Sequence, residues 1–167
     1  PNLTVLENVR LAAQARGRDN LKIWRAAAGL KPYLDRAHTA LEQVGLAERE
    51  DVIAATLPHG DKRRLELAIL LAGDSELLLL DEPTAGMATE QVPLLLDVLR
   101  EIQKAGDKTI LIVEHNMGVV MRMSDTITVM HQGRVLAEGG PAQIAADPRV
   151  QQAYLGENYR HAQHSQS

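Results

Sequence analysis

The chain has 167 residues, a formal net charge of -4, 45% hydrophobic residues and no cysteine. That apolar share is too high for a disordered chain and supports one domain, or a compact lobe beside a smaller helical one. The acidic balance argues against broad nucleic-acid binding, and without cysteine there is neither a disulfide scaffold nor a thiolate metal site.

Aliphatic residues carry the core: there is no Phe, one Trp and three Tyr. Such a core suits helices on a parallel sheet and offers no aromatic platform for stacking bases. No apolar run approaches the ~18 residues that cross a bilayer. The chain opens Pro1-Asn2-Leu3-Thr4, without an initiator Met or a basic leader. This start raises the expectation that the first residues of the gene product are missing.

In chain order, Leu3 to Arg16 reads as a helix, with Thr4 and Glu7 at capping-box spacing and Leu6, Val9 and Ala13 on one face. Residues 18–32 are mixed and end in a Lys31-Pro32 turn. Tyr33 to Val44 repeats apolar residues at helical spacing, and Gly45 is a natural helix stop. Leu57-Pro58-His59-Gly60 reads as a turn before a helix over Asp61 to Ala72, where Asp61 suits the positive end of the helix dipole. Leu77 to Leu80 is a continuous apolar run that predicts a strand buried on both faces and ends in Asp81-Glu82. A helix over Thr89 to Lys104, stopped by Gly106, leads to a second such run, Thr109 to Val113. A short helix over Asn116 to Met123 follows. Then come strands Thr126 to His131 and Arg134 to Ala137 around a Gln132-Gly133 hairpin turn. Short helices over 141–146 and 149–155 precede a polar tail, 158–167. The alternation of strands and helices predicts a parallel sheet with helices on its faces.

Three segments carry candidate chemistry. The first is Asp81-Glu82, two adjacent acids at the C-terminal end of a strand, where open α/β sheets bind ligands. One acid can face Mg²⁺ and the other the water that attacks a phosphate. Alternation along the strand points them differently. The plain alternative is a strand ending in a solvated turn. The second is His115, at the end of the next strand, able to reach the same mouth. The third is Leu57 to Asp61, where a glycine-containing turn at a helix N-terminus presents free N–H groups to an anion. The other histidines, His38, His59, His131, His161 and His164, show no metal-ligand spacing.

Taken together these segments resemble the ABC ATPases: a signature turn and helix (57–72), a Walker B strand (77–82), a D-loop (84–88) and a switch histidine (115), in that order. Arg63-Arg64-Leu65-Glu66-Leu67-Ala68, Asp81 to Met87, Val113 to Met117 and Ala153-Tyr154-Leu155-Gly156 resemble more narrowly the ATP-binding subunits of branched-chain amino acid importers, with urea or amide importers close behind. The resemblance implies the C-terminal part of a P-loop NTPase (RecA-like) core, residues 76–157, joined to an ABC α-helical subdomain, residues 1–75.

It also implies roles. Asp81 would help hold Mg²⁺, Glu82 would be the general base, and His115 would sense the γ-phosphate of ATP. Leu57, Pro58, His59, Gly60 and Asp61 would meet ATP bound on a second ABC ATPase subunit, with Ala85, Gly86, Met87 and Ala88 lining the same interface. The helical part would touch transmembrane permease subunits, which places the protein peripherally on the cytoplasmic face of the bacterial inner membrane. Three positions depart from the family pattern: Pro58 replaces a serine, Asp61 a glutamine and Ala88 an aspartate. No G-x-x-x-x-G-K-[ST] loop occurs, and nothing ahead of Asn2 matches a Q-loop. The expectations are an N-terminally truncated, inactive ATPase fragment whose bared sheet edge self-associates. The rival readings are a non-catalytic interaction module built from an ABC cassette and a soluble ABC protein of translation or DNA repair. The acidic charge and importer-like C-terminus count against the last.

Overall fold

The computed structural model describes residues 2–15 and 31–153. The chain divides into two compact units, Pro1–Val113 and Glu114–Ser167.

In the first unit, α1 (Val5–Ala15) opens with the expected capping box: Thr4 N donates to Glu7 Oε2 at 2.8 Å and Glu7 N to Thr4 Oγ1 at 3.2 Å. Two further N–H groups of its first turn would lack helical partners. Val5 N donates to the Val52 carbonyl and Leu6 N to that of Glu50. Val5, Val9 and Ala13, four residues apart, form its buried stripe. α2 (Lys31–Gln43) begins at Lys31-Pro32, so this pair starts a helix instead of forming a turn. Proline fits a first helical turn because the N–H it lacks would have no partner there.

α2 ends as Gly45 predicts. Gly45 takes φ +68°, its N–H donates to the Glu42 carbonyl, and Leu46 N–H reaches back to the Leu41 carbonyl at 2.8 Å. Buried Leu41 and Leu46 complete this Schellman stop. Two 3₁₀ turns, Ala47–Arg49 and Ala54–Thr56, lead to α3 (His59–Ala72). α1, α2 and α3 pack against one another.

β1 (Leu77–Asp81) and β2 (Thr109–Val113) pair in parallel, with Leu77 opposite Thr109 and Asp81 opposite Val113. Between them, α4 (Val92–Ala105) buries Leu95, Leu96, Leu99 and Ile102. It starts at Val92, three residues later than the sequence suggests, with Pro93 in its first turn, and stops at Gly106 in left-handed backbone. The expected burial on both strand faces is not met. Leu78 is buried, whereas Leu77, Leu79, Leu111 and Val113 are all more than half exposed. These residues share one face by the two-residue period of a strand, and nothing among the described residues covers it.

In the second unit, α5 (Met117–Met123) is capped by Asn116, whose Oδ1 accepts from Gly118 N and Val119 N. β3 (Ile127–His131) and β4 (Arg134–Gly139) form an antiparallel hairpin with a register shift between Val129 and Met130. Gln132 and Gly133 both take positive φ, the signature of the tight turn that matches strand twist. β3 therefore pairs with β4, as the Gln132-Gly133 hairpin turn predicts. α6 (Pro141–Ala146) and a helical stretch over 148–153 complete the unit around a core of Ile127, Ala137, Ile144 and Val150. The tail beyond 153, including the Tyr154-Leu155-Gly156 match, lies outside the described residues.

Candidate active site

β1 delivers Asp81 and Glu82 to the C-terminal end of the parallel pair, and both are exposed. Glu82 N–H donates to the Val113 carbonyl at 2.8 Å, extending the ladder one step past the strand. There the backbone changes hand: Glu82 has φ +45°. A side-chain-bearing residue in that region costs on the order of 1–2 kcal/mol. The change of hand interrupts the strand alternation from which different directions for the two acids were expected. Such strain gathers where a site demands a particular geometry. The turn then closes through Ala85 N to the Glu82 carbonyl (3.0 Å) and Met87 N to that of Thr84 (3.2 Å). Buried Pro83 anchors it, while Gly86 and Ala88 are exposed.

The third predicted segment, Leu57 to Asp61, lies in the same unit. α3 starts at His59, two residues before the expected start, with Pro58 as its N-cap. Pro58 has no N–H and makes no side-chain cap, but its carbonyl accepts from Lys62 N at 3.0 Å. Leu57, Gly60 and Asp61 are buried. His59 rests on Gly86: a Cβ at Gly86 would lie 2.7 Å from His59 Nε2. The Gln91 carboxamide presses on Gly60 so closely that a Cβ there would collide with it. The structure thus joins residues 57–61 to the 84–91 segment within one unit, through His59 and Gln91.

Asp61 was expected at the positive end of the helix dipole, in place of the family's glutamine. Its carboxylate is buried, with Arg49 Nη1 at 2.6 Å from Oδ2 and Arg64 Nη2 on Oδ1. Sequence reasoning missed Arg49, Arg64 and Gln91. Only Arg64 carried a readable signal, its three-residue spacing from Asp61 along a helix.

Beside β1 is a cavity of about 120 Å³ bounded by Arg63, Glu66, Leu70, Leu80, Asp81 and Leu99, among others. Arg63 Nη1 pairs with Glu66 Oε2 at 2.8 Å, and its Nε is buried without a hydrogen-bond partner among the described residues. His115 belongs to the second unit. It is exposed and follows by two residues Val113, the residue registered with Asp81. Among the described residues no three His, Asp or Glu side chains cluster as a metal site. Mg²⁺ asks less of a protein, binding through one or two carboxylates plus phosphate oxygens and water, and exposed Asp81 fits that demand.

A parallel strand ending in paired acids, with the glycine turn of a helix in the same unit, is consistent with part of a P-loop NTPase domain, and solved structures show that fold class. An ATP-binding cassette of an ABC transporter superposes with TM-score 0.75 at 27% identity, covering 91% of this chain and 62% of that one. A putative metal-chelate type ABC transporter superposes with TM-score 0.80 at 17% identity, which speaks to the fold alone. The ABC transporter family model matches residues 1–85, and the chain belongs to that family. A second model, for branched-chain amino acid ATP-binding cassette transporters, matches residues 134–160.

Among curated relatives, the high-affinity branched-chain amino acid transport ATP-binding protein LivG of Escherichia coli K12 is 39% identical over 93% of this chain and 63% of its own length. BraF of Pseudomonas aeruginosa, of the same description, is 41% identical over 70% of this chain and 46% of its own. The chain therefore spans less than two thirds of the length of these relatives.

Proposed function

We propose that this chain is part of an ATP-hydrolysing subunit that powers import of branched-chain amino acids or a related small polar solute. The observation that carries the reading is the acid pair at the end of β1, with Glu82 held in left-handed backbone and tied to β2. In this reading Asp81 supplies an oxygen ligand to Mg²⁺, which when bound neutralises phosphate charge. Glu82 holds the attacking water and takes its proton, and His115 donates a hydrogen bond to the γ-phosphate. Leu57 to Asp61 and Ala85 to Ala88 face the ATP and surface of a second ATPase subunit. The helices α1 to α3 meet permease subunits at the cytoplasmic membrane face. Among the described residues no helix is long and apolar enough to cross a membrane.

The 167 residues contain no G-x-x-x-x-G-K-[ST] loop. Phosphoryl transfer is mostly positioning and charge neutralisation, so without that cradle the acids have no positioned phosphate to act on. By itself the chain is accordingly inactive in this reading. Titration calorimetry tests both halves. Mg-ATP should give no binding heat with the chain alone. It should bind and be hydrolysed once the N-terminal third of the E. coli relative is fused ahead of Pro1. A fused protein that binds but never hydrolyses would overturn the ATPase reading.

A second reading is a non-catalytic module that pairs with an intact cassette, which the bracing of residues 57–61 by His59 on Gly86 and Gln91 on Gly60 supports. Capture of an intact cassette by the chain, with and without ATP, together with a fused protein that stays inactive, would select it.

A further inference from the structure

We propose that Asp61 is a positioning residue, tying the first turn of α3 to residues 44–49 through Arg49 and Arg64, with its carboxylate withdrawn from whatever ligand that turn meets. The consequence for nucleotide contact rests on the function proposed above; the joint itself does not.

Asp61 is the third residue of α3, a position where an exposed acid would need nothing beyond the helix dipole. Its side chain is only 4% exposed, and a buried carboxylate persists only when paired and hydrogen-bonded. Both oxygens are engaged, and by different segments. Arg49, half exposed, comes from the 3₁₀ turn after α2 and takes Oδ2. Arg64, one helical turn on, takes Oδ1.

Arg64 reaches further. Its Nη1 donates to the Val44 carbonyl at 3.3 Å and the Gly45 carbonyl at 3.2 Å, two groups left over where α2 ends. One carboxylate and two guanidinium groups thus lock three segments: the α2 stop, the 3₁₀ turn and the start of α3. The last continues directly into His59 and Gly60, which carry Gly86 and Gln91 against them. Residues 44–49 and the turn at 57–60 therefore move as one piece. The charge arithmetic also favours a ligand: two cations against one anion leave the joint net positive, so Asp61 does not repel a polyphosphate.

The test uses the full chain, with amide hydrogen exchange read by mass spectrometry in wild type, Asp61→Asn, Arg49→Gln and the double variant. Each single variant should speed exchange about tenfold in both 44–49 and 59–64 while leaving α1 within twofold. The double variant should be no worse than Asp61→Asn alone, because the two act through one contact. Additive effects, acceleration confined to one segment, or equal acceleration in α1 would overturn the joint. Should Asp61→Asn fail to fold, Arg49→Gln still decides, since half-exposed Arg49 adds little to the core. A second arm measures association with the E. coli relative loaded with Mg-ATP. Arg49→Gln should weaken ATP-dependent association at least tenfold. Association equal to wild type would overturn the role toward nucleotide. If wild type itself never associates, the proposed trans contact fails while the exchange result still judges the joint.

Discussion

Glu82 and Gly45 both occupy left-handed backbone, and they differ in what that costs. At Gly45 the conformation is cheap, because no Cβ meets the carbonyls. A methyl there would also lie 3.3 Å from Arg64 Nη1. Gly45→Ala should therefore lower stability by about 1–2 kcal/mol in urea unfolding, from the backbone and from disturbing the Arg64 contacts. Glu82 bears the cost without glycine's relief. Glu82→Gly should stabilise the chain by up to about 1 kcal/mol while removing the carboxylate the proposed chemistry needs. Loss of stability in that variant would mean that the Glu82 side chain contributes to folding more than its backbone costs.

Local signals were legible because they act within one or two turns of chain. The Thr4–Glu7 box, the Gly45 stop and the Gln132-Gly133 turn all stand where the residues put them. The Asn116 cap of α5 is equally local, but the sequence reading placed Asn116 inside the helix. The Arg49–Asp61 pair was not legible, since eleven residues separate its partners and only the packing of α3 on the preceding segment brings them together.

Elements were read in type more reliably than in bounds or burial. β1 and β2 could be placed from their aliphatic runs, yet those runs implied cover on both faces, and the odd-numbered face is bare among the described residues. The pairing of β3 with β4 was legible from the short Gln132-Gly133 turn between them, which favours the antiparallel neighbour.

The helical stretch over 148–153 has a cap the sequence reading passed over. Arg149 N donates to Asp147 Oδ1 at 2.8 Å, while the Arg149 guanidinium holds both carboxylate oxygens. These hydrogen bonds from Arg149 lower the Asp147 pKa to about 2. The folded value lies below the usual carboxylate value of 3.8, so the contribution is present above that pH and fades as pH falls through about 2. An NMR titration of Asp147 should find its midpoint near 2, returning toward the ordinary value in Arg149→Ala. A midpoint unchanged by that substitution would remove Arg149 as the cause.

For the described residues together, a bare apolar sheet face and open strand edges have one physical consequence. Exposed edges and apolar patches pair with other chains. The isolated chain should self-associate in light scattering at concentrations where Leu79→Lys and Leu111→Glu variants remain monomeric. A wild-type chain that stays monomeric would show that the face is protected.

Family membership was legible at this scale because four short segments recur in order, and their order survives whatever the intervening helices do. At residues 57–61 the structure shows a turn braced by His59 on Gly86 and Gln91 on Gly60.

The most direct measurement is single-turnover hydrolysis of Mg-ATP by the chain fused behind its relative's N-terminal third, comparing Glu82 with Glu82→Gln. General-base loss predicts that the variant still binds ATP but hydrolyses it about 10²–10⁴-fold more slowly. Equal rates in the two proteins would contradict the assignment of the β1 acid pair as the hydrolytic centre.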